Sequence, residues 1–306
     1  MSTVAVVEGF APRRSLTRVG LRRFVRRPAA LTAFAVLLAI LVIGALAPVL
    51  VGSGAEEIDL NHVKNAPSLA HLFGTDNVGR DVLKRTVYGV RTTEEVALAA
   101  AALATFLGVT IGLLAGFFAG WLDATLMRVA DLVTAYPAIV FTLAAFVYFR
   151  PVWPHTLILV FSAFMWAIVA RAVRADVVRL RETEYVEAAR ALGASSPRIL
   201  VRHILPNAMG TIVVAATSLI GLVVLVDATV EFFGFGIPEA VQPSLGNLVA
   251  DTAKFNFGLA ANSDIAAVQY GWWTWFFPGL VLVVILVCVN FVGDALDEAL
   301  NPRSIR

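Results

Sequence analysis

Six long apolar segments, separated by polar stretches, account for much of the 306-residue chain. A helix needs about 20 mainly apolar residues to cross roughly 30 Å of hydrocarbon, because backbone groups left without hydrogen bonds there would each cost several kcal/mol. The pattern therefore predicts six transmembrane helices, at about residues 29–50, 96–118, 132–149, 156–173, 208–230 and 274–292.

Composition agrees with this interpretation. Hydrophobic residues make up 59% of the chain and charged residues 15%, whereas a soluble domain is nearer half apolar and a quarter charged. The sequence thus predicts an all-α integral membrane protein whose main surroundings are the lipid bilayer. The net charge of +2 is too small to indicate a nucleic-acid partner.

The positions of the arginines predict the orientation. Only one acid, Glu8, stands among the arginines that precede the first span, which are Arg13, Arg14, Arg18, Arg22, Arg23, Arg26 and Arg27. By the positive-inside rule the N-terminus is cytoplasmic, and six crossings return the C-terminus to the same side. A cleaved signal peptide ending near Ala45-Leu46-Ala47 is the alternative, but the apolar run is long for one.

This topology divides the chain into predicted regions. Residues 1–28 are a basic cytoplasmic tail, residues 29–51 the first span and residues 294–306 a cytoplasmic C-terminus. Residues 96–293 form a five-helix core with a cytoplasmic loop at about 174–206. The extracytoplasmic loops are residues 52–95 and about 231–273.

The cytoplasmic loop contains the most polar stretch of the second half, "EYVEAARALGASSPRILVRHILPNAMG". Residues 182–192 favour a helix, and Gly193 is suited to end it in a left-handed conformation. Ser196 and Pro197 are typical of the start of a second helix, which runs to about Ile204, and Pro206 then opens the fifth span.

Three interpretations of this helix pair are open from the residues alone. It could be an amphipathic connector on the bilayer surface, where its arginines would meet anionic headgroups. It could imitate a DNA-binding helix-turn-helix, although a short loop held between two spans lacks a supporting third helix. It could instead be a docking element for a cytosolic partner.

Four motifs, in order along the chain, resemble one family. The series Glu187-Ala188-Ala189, Gly193 and Leu205-Pro206 is similar to the EAA signature of permease subunits of bacterial ATP-binding-cassette importers. "FGTDNVGRDVLKRTVYGVR", "GWLDATLMRVADLVTAYPA" with "FFGFG", and the ending "WFFPGLVLVVILVCVNFVGDALDEALNPR" resemble the C-type permease of dipeptide, oligopeptide and nickel importers. The resemblance covers roughly residues 22–303.

The resemblance implies a type I importer fold and a mechanism of ATP-driven import across the bacterial cytoplasmic membrane. The chain has no GxxxxGK[ST] phosphate loop, so it is predicted not to be an enzyme itself. It is expected to bind no cofactor, with ATP and Mg on partner ATPase subunits. The implied partners are a second related permease, one or two ATPase subunits, an extracytoplasmic binding protein and a peptide substrate.

The same resemblance assigns roles to residues. The helix at about 183–195 would be a coupling helix seated on the ATPase, with Glu187 paired to a basic group of that partner and Gly193 permitting the bend. The coupling residues are predicted to be Glu187, Ala188, Ala189, Arg190, Gly193, Leu205 and Pro206. From the residues alone, Glu187 could equally form a surface pair with Arg190 at i,i+3.

Several positions depart from the family pattern and leave the cargo open between peptides and nickel or another small solute. They are His203, Asp227, Glu231, Leu245, Asp297, Asn301 and an apparent insertion at residues 255–271. An acid within a span is expensive unless it faces the bundle interior or water, so Asp227 and Glu231 are candidates for the translocation pathway. A helix contact with the partner permease is the alternative for Asp227.

Other candidate chemistry is sparse in the sequence. The four histidines (His62, His71, His155 and His203) form no close metal-ligand pair along the chain, so no metal site is predicted. "GTDNVGRD" is interpreted as a turn that leads into an amphipathic helix at residues 82–88, in preference to a cation site. Trp272, Trp273 and Trp275 indicate an interfacial aromatic anchor. A membrane enzyme or sensor would need a reactive constellation or a cytosolic domain, and neither is visible.

Overall fold

The computed structural model describes residues 27–149, 152–238, 242–256 and 271–300. These residues are mostly helical and contain no β-strand. The helices are α1 (Pro28–Ala45), α2 (Ala47–Leu50), α3 (Val82–Phe118), α4 (Gly120–Ala135), α5 (Ala138–Tyr148), α6 (Pro154–Leu180), α7 (Glu184–Ala191), α8 (Ser196–Ile199), α9 (Leu205–Phe232), α10 (Leu245–Asn256) and α11 (Trp272–Leu300). A π-helical turn, Leu200–Ile204, joins α8 to α9.

Five stretches of the described chain are long and apolar enough to cross a membrane, namely α1, α3, α6, Ser196–Phe232 and α11. The pair α4 and α5 passes the same test together but is bent by 81°. The prediction of an all-α membrane protein with about six spans is therefore confirmed.

The third span is broken, whereas the sequence pattern predicted one helix at residues 132–149. The break lies at Tyr136-Pro137, where Tyr136 has extended backbone angles of φ −95° and ψ 139°. Proline has no backbone N–H, and its ring pushes the preceding residue out of the helical region. The apolar pattern continues across the break, so it could not show the bend.

A stripe of glycines packs α3 closely against α6. A Cβ on Gly108, Gly112 or Gly116 would lie 2.6–2.8 Å from atoms of α6, such as the carbonyl oxygen of Ala170 for Gly112 and Cβ of Val177 for Gly116. Real Cβ atoms do not approach that closely, so the two backbones meet only because these positions carry no side chain. The partner residues advance along α6 as the glycines advance along α3, which makes the two helices parallel.

The parallel packing shows that α4 and α5 together cross the bundle. Arg181 at the end of α6 donates to the carbonyl oxygen of Gly116 near the end of α3 at 2.9 Å. Since both helices end on the same side, the chain between them must return to the other side before α6 begins. The bent pair is thus the third crossing, and the bundle has six.

The bundle has two ends, the α7 end and the opposite end. The α7 end contains α7, α8 and the C-termini of α3 and α6. The opposite end contains residues 52–81, helix α10 and the N-terminus of α3. Arg27 and Glu298 form an ion pair, which puts the start of α1 and the end of α11 at one end.

Helix α3 begins fourteen residues before the predicted second span. Asp81 caps it by accepting a hydrogen bond from the backbone N–H of Lys84 at 3.0 Å, and the helix then runs unbroken from Val82 to Phe118. The predicted amphipathic helix at 82–88 is therefore the first part of the span itself. The charged residues between 84 and 95 lower the hydropathy there without interrupting the helix.

The segment 56–81 folds as a compact unit on the opposite end. The Asp76 carboxylate accepts from the backbone N–H groups of Val78 and Arg80 and pairs with Arg85 at 3.0 Å. Trp273 donates from Nε1 to the carbonyl oxygen of Thr75 at 3.1 Å and is buried. The turn interpretation of "GTDNVGRD" fits this geometry, but Trp273 holds the loop rather than anchoring the interface.

The predicted extracytoplasmic loop at residues 231–273 contains a helix that the sequence analysis did not anticipate. The first turn of α10 is buried, and Leu245 donates its backbone N–H to Oγ1 of Thr93 on α3 at 3.2 Å. A helix of twelve residues with mixed polarity carries too weak a pattern to separate it from a loop. Most of the apparent insertion at 255–271 lies outside the described residues.

Candidate functional site

Helix α7 is a short polar element held between two spans. Its N-cap residue Thr183 accepts hydrogen bonds at its carbonyl oxygen from the N–H groups of Val186 and Glu187 at 2.9 and 3.1 Å. The hydroxyl of Thr183 donates to the carbonyl oxygen of Leu180 at 2.5 Å. These three bonds fix the direction in which the chain leaves α6.

Gly193 ends α7 in a left-handed conformation with φ +79°. Its N–H donates to the carbonyl oxygen of Arg190, and the N–H of Ala194 donates to that of Ala189, both at 3.0 Å. These two bonds form a Schellman motif, in which the last carbonyl groups of a helix find donors across a tight bend. The predicted bend at Gly193 therefore has a defined geometry.

Two side chains attach α7 to the protein core. Val186 is fully buried and Ala189 is 9% exposed, and both belong to the main apolar core together with Ile199 of α8. The small residues of α7 thus lie on different sides of the helix, because Ala189 points inward while Ala188 and Ala191 are exposed.

The outward surface of α7 is unpartnered within the described chain. Its exposed side chains are Glu184, Tyr185, Glu187, Ala188, Arg190 and Ala191, followed by the C-cap residue Leu192. No hydrogen bond or ion pair of the Glu187 carboxylate exists among the described residues, so the alternative pair with Arg190 does not form. Leu192, which is 88% exposed, lies beside these charges.

The turn that leads from α8 into α9 depends on Pro206. Because Pro206 lacks an N–H, the regular helical ladder is interrupted, and the N–H of Leu205 donates instead to the carbonyl oxygen of Leu200. Leu205 and Pro206 therefore continue one helical path, so the prediction that the second helix stops near Ile204 before a separate span is wrong. The π turn therefore connects α8 rigidly to α9.

Arginines of α6 fasten the α7 end to the neighbouring helices. Arg174 binds Asp123 of α4 with both Nε and Nη2, at 2.5 and 2.6 Å. Arg171 donates to Asp131 at 3.0 Å, and Asp176 accepts from Thr211 of α9 at 2.9 Å. These bonds tie α6 to both α4 and α9 just before the chain enters α7.

At the opposite end, two acids of α9 are buried. Asp227 and Glu231 lie one helical turn apart, and each is 2% exposed. Oε2 of Glu231 accepts a hydrogen bond of 2.6 Å from the hydroxyl of Ser244, whereas Oδ1 of Asp227 has no partner among the described residues. In this conformation neither acid faces an open surface of the chain.

Glu231 occupies a pocket made by two glycines. A Cβ on Gly236 or on Gly246 would collide with the Glu231 side chain. Ser244 also caps α10 reciprocally with Asn247: the Asn247 N–H donates to the Ser244 hydroxyl at 3.2 Å, and the Ser244 N–H donates to Oδ1 of Asn247 at 3.0 Å. The carboxyl group thus lies at the electropositive N-terminus of a helix.

Ser244, Asn247 and Thr93 are parts of this site that the sequence analysis missed. Ser-x-x-Asn is a variant of the capping-box pattern and could have indicated the start of α10. The contact of α10 with Thr93, 152 residues earlier in the chain, has no local signal.

The histidines contradict one expectation. His62 and His71 come together on the segment 56–81, with ring centres 5.7 Å apart. The prediction that the histidines stand alone is therefore wrong for this pair, because the turn at residues 65–75 brings together residues that are not close in sequence.

Comparison with known proteins decides the family. Residues 108–306 match the profile described as "binding-protein-dependent transport system inner membrane component". The chain belongs to this family of transport permeases. Residues 15–67 also match the N-terminal transmembrane domain of oligopeptide transport permease C.

Relatives of this permease match it over nearly its whole length. It is 34% identical to the oligopeptide transport system permease protein OppC of Mycobacterium tuberculosis, over 96% of both chains. It is 32% identical to the dipeptide transport system permease protein DppC of Alkalihalophilus pseudofirmus, over 94% of this chain and 90% of the relative. A putative peptide permease of Brucella suis is 36% identical over 81% of this chain and 78% of the relative.

A solved structure supports the fold of the permease. The inward-facing MetNI methionine ABC transporter matches with a TM-score of 0.56 and 19% identity, over 71% of this chain and 96% of that one. The type I importer fold implied by the sequence resemblance is confirmed. As a transport permease, the chain is a multi-pass membrane subunit and not itself an enzyme.

Proposed function

We propose that this permease imports dipeptides or oligopeptides and that ATP hydrolysis on partner subunits drives the transport. The relatives named as oligopeptide and dipeptide permeases support a peptide cargo, since they match almost the whole chain. In this proposal ATP and Mg bind only to the partner ATPases, and an extracytoplasmic binding protein delivers the peptide. A second related permease completes the pathway, with one or two ATPase subunits below.

In this proposal α7 is the coupling helix. The observation that supports this role is the surface of α7, which is exposed and has no partner among the described residues, while the helix itself is held against the protein core. Glu184 and Glu187 on that surface would be repelled by anionic headgroups and by nucleic-acid phosphates, which disfavours the bilayer-connector and DNA-binding interpretations. A surface that combines acidic residues, an arginine and the exposed Leu192 is instead suited to bind in a cleft of another protein. Glu187 pairs there with a basic group of the ATPase.

The movement of α7 reaches the opposite end through α9. When the ATPases close, α7 moves, and the path through α8 and the π turn passes the motion directly into α9. Glu231 holds α10 to the far end of α9, so displacement of α9 moves α10. We assign Asp227 and Glu231 to a gate that α10 covers in the present conformation and uncovers in another.

The orientation proposed for the permease places the α7 end and both termini in the cytoplasm. The arginines before residue 28 and those of the loop at 174–206 support this assignment. Docking of α7 on a cytosolic ATPase requires the same orientation.

The cargo is tested on the purified complex with its binding protein in proteoliposomes. We expect dipeptides or oligopeptides to stimulate ATP hydrolysis several-fold and to accumulate inside the vesicles. Stimulation by Ni²⁺ alone, with no response to peptides, would instead support the nickel alternative.

The coupling contact is tested separately with a cysteine at Ala188. Cys288, the only native cysteine, is buried and is first replaced by serine. A short bifunctional cross-linker on Ala188→Cys should then capture the ATPase subunit, whereas Leu69→Cys, at a 98% exposed position of the opposite end, should not. Capture of phospholipid alone at Ala188→Cys would contradict the coupling role.

A further inference from the structure

The segment 56–81 carries two histidines whose rings lie close together. Their ring centres are 5.7 Å apart, and the ring planes are tilted by 51°. With metal–nitrogen bonds of about 2.1 Å and ring centres about 1.2 Å behind the coordinating nitrogens, two imidazoles on one tetrahedral ion have centres roughly 5 to 6 Å apart. The observed separation falls in this range.

Each ring is oriented by its own carboxylate. Nδ1 of His62 lies 2.7 Å from Oδ2 of Asp59, and Nδ1 of His71 lies 2.8 Å from Oδ2 of Asp81. A neutral imidazole that donates its Nδ1 proton to a carboxylate has an acceptor lone pair on Nε2. The carboxylate–histidine arrangement is the one that metal-binding histidines ordinarily have.

The backbone under both rings is fixed. The carbonyl oxygen of His62 accepts a hydrogen bond from the hydroxyl of Thr75. The backbone N–H of His62 donates to the carbonyl oxygen of Asp59 at 3.0 Å. The carbonyl oxygen of His71 accepts from the N–H groups of Ser68 and Gly74 at 2.8 and 2.9 Å. Little conformational freedom is left to lose when a ligand joins the two rings, which favours binding.

The site is also accessible. The side chain of His62 is 50% exposed and that of His71 is 26% exposed, so an ion can reach both rings from solution. Among the described residues no group of three or more potential ligands gathers, which leaves the remaining coordination positions to water. Two imidazoles and water suit Cu²⁺, Zn²⁺ or Ni²⁺ rather than Ca²⁺ or Mg²⁺.

We propose that Nε2 of His62 and Nε2 of His71 together bind one divalent transition-metal ion, with Asp59 and Asp81 as the carboxylates that position the two rings. Asp59 caps the turn Leu60–His62 and Asp81 caps α3, so a bound ion fastens the segment 56–81 to the start of that span. The ion is a structural ligand of the permease and is distinct from its cargo.

The proposal is tested by Cu²⁺ binding to the full chain in lipid nanodiscs, purified without a polyhistidine tag. We expect about one Cu²⁺ per chain and an electron paramagnetic resonance spectrum with two imidazole nitrogens. This spectrum needs no variant, and a spectrum with one nitrogen or none would overturn the proposal.

Variants then assign the ligands. His62→Gln and His71→Gln should each abolish the two-nitrogen signal, while His155→Gln, at an exposed histidine elsewhere, should leave it unchanged. Asp59→Asn should weaken binding about 10- to 100-fold through the ring that it orients. Unaltered binding in the His62→Gln/His71→Gln double variant would also overturn the proposal. Transport is not measured, so the outcome is independent of the proposed cargo.

Discussion

Replacement of Gly193 changes the bend that positions α7 without changing the side chains on the surface of α7. Its φ is +79°, and a Cβ placed there would meet no atom within 4 Å. The only cost of a side chain is therefore the left-handed backbone, about 1–2 kcal/mol for an ordinary residue and more for a β-branched one.

We expect Gly193→Val to insert into the membrane normally but to lose most peptide uptake, because the bend that presents α7 is altered. Gly193→Asn is the matched control, since asparagine tolerates the left-handed region, and it should keep most of the uptake. Uptake is measured in vesicles with equal amounts of all subunits. Wild-type transport by Gly193→Val would refute the need for this bend.

Ser244 is the residue that satisfies the buried Glu231 carboxylate. We expect Ser244→Ala to destabilise the permease by about 1–3 kcal/mol, because it removes a donor from a buried carboxylate and weakens the cap of α10. Thermal unfolding of the purified protein in nanodiscs measures this change.

Glu231→Gln is the informative companion, since the amide oxygen can still accept from Ser244. It should unfold close to the wild-type temperature, and any loss of uptake would then report on the charge at the gate. Equal destabilisation by both variants would mean that the carboxyl group of Glu231, and not only a hydrogen-bond acceptor at that position, is needed to hold α10.

At this scale the sequence predicted residues whose signal is local and missed those that depend on distant contacts. The role of Gly193 was predictable because a glycine between two helix-forming runs commonly ends the first helix in a left-handed conformation. The burial of Glu231 by Gly236 and Gly246 depends on where the start of α10 packs against the end of α9, and no sequence spacing reveals this contact. The meeting of His62 with His71 is of the same kind.

At the scale of elements, the glycine stripe of α3 makes a quantitative prediction. Gly112→Ala would put a Cβ 2.6 Å from the carbonyl oxygen of Ala170, so α3 and α6 must separate. Overpacking of this kind costs about 1–3 kcal/mol, and we expect a lower thermal unfolding temperature.

The matched control is Gly293→Ala in α11, where the nearest atom to a new Cβ is Cγ2 of Thr217 at 3.6 Å. That distance is an ordinary contact, so this variant should unfold at about the wild-type temperature. If the two alanine variants were equally stable, the close approach of α3 to α6 would be disproved.

The elements themselves were predictable to different degrees. Hydropathy located the apolar runs, because lipid requires long helices, but it could not show that α3 extends back to Val82 across charged residues. Pro137 lies inside an apolar run, and the 81° bend at this residue is set by backbone sterics rather than hydropathy. Gly108, Gly112 and Gly116 at four-residue spacing did carry a helix-packing signal, which an analysis based on apolar periodicity alone passes over.

For the whole molecule, two connections link the α7 end to the opposite end. Helix α6 is parallel to α3 and is tied to α4 and α9 by Asp123 and Asp176, so the α7 end is held as one unit. Helix α9 runs from the π turn to Glu231, where it holds α10. A push on α7 therefore reaches the buried carboxylates through the bend at Gly193, α8, the π turn and α9, a series of contiguous elements that can carry coupling over the thickness of a membrane.

This arrangement depends on α7 and the segment 56–81 lying on opposite faces of the membrane. Leu192 is 88% exposed beside α7 and Leu69 is 98% exposed on the segment 56–81, so both positions accept a cysteine label when Cys288 is replaced. In spheroplasts, a membrane-impermeant maleimide should label Leu69→Cys at once and Leu192→Cys only after permeabilisation. Labelling of both from one side would require an even number of crossings between them and would refute the assignment of the bent pair α4 and α5 as a span. Labelling of Leu192→Cys alone in intact spheroplasts would keep the six crossings but reverse the orientation, because the parity would hold while the arginine rule failed.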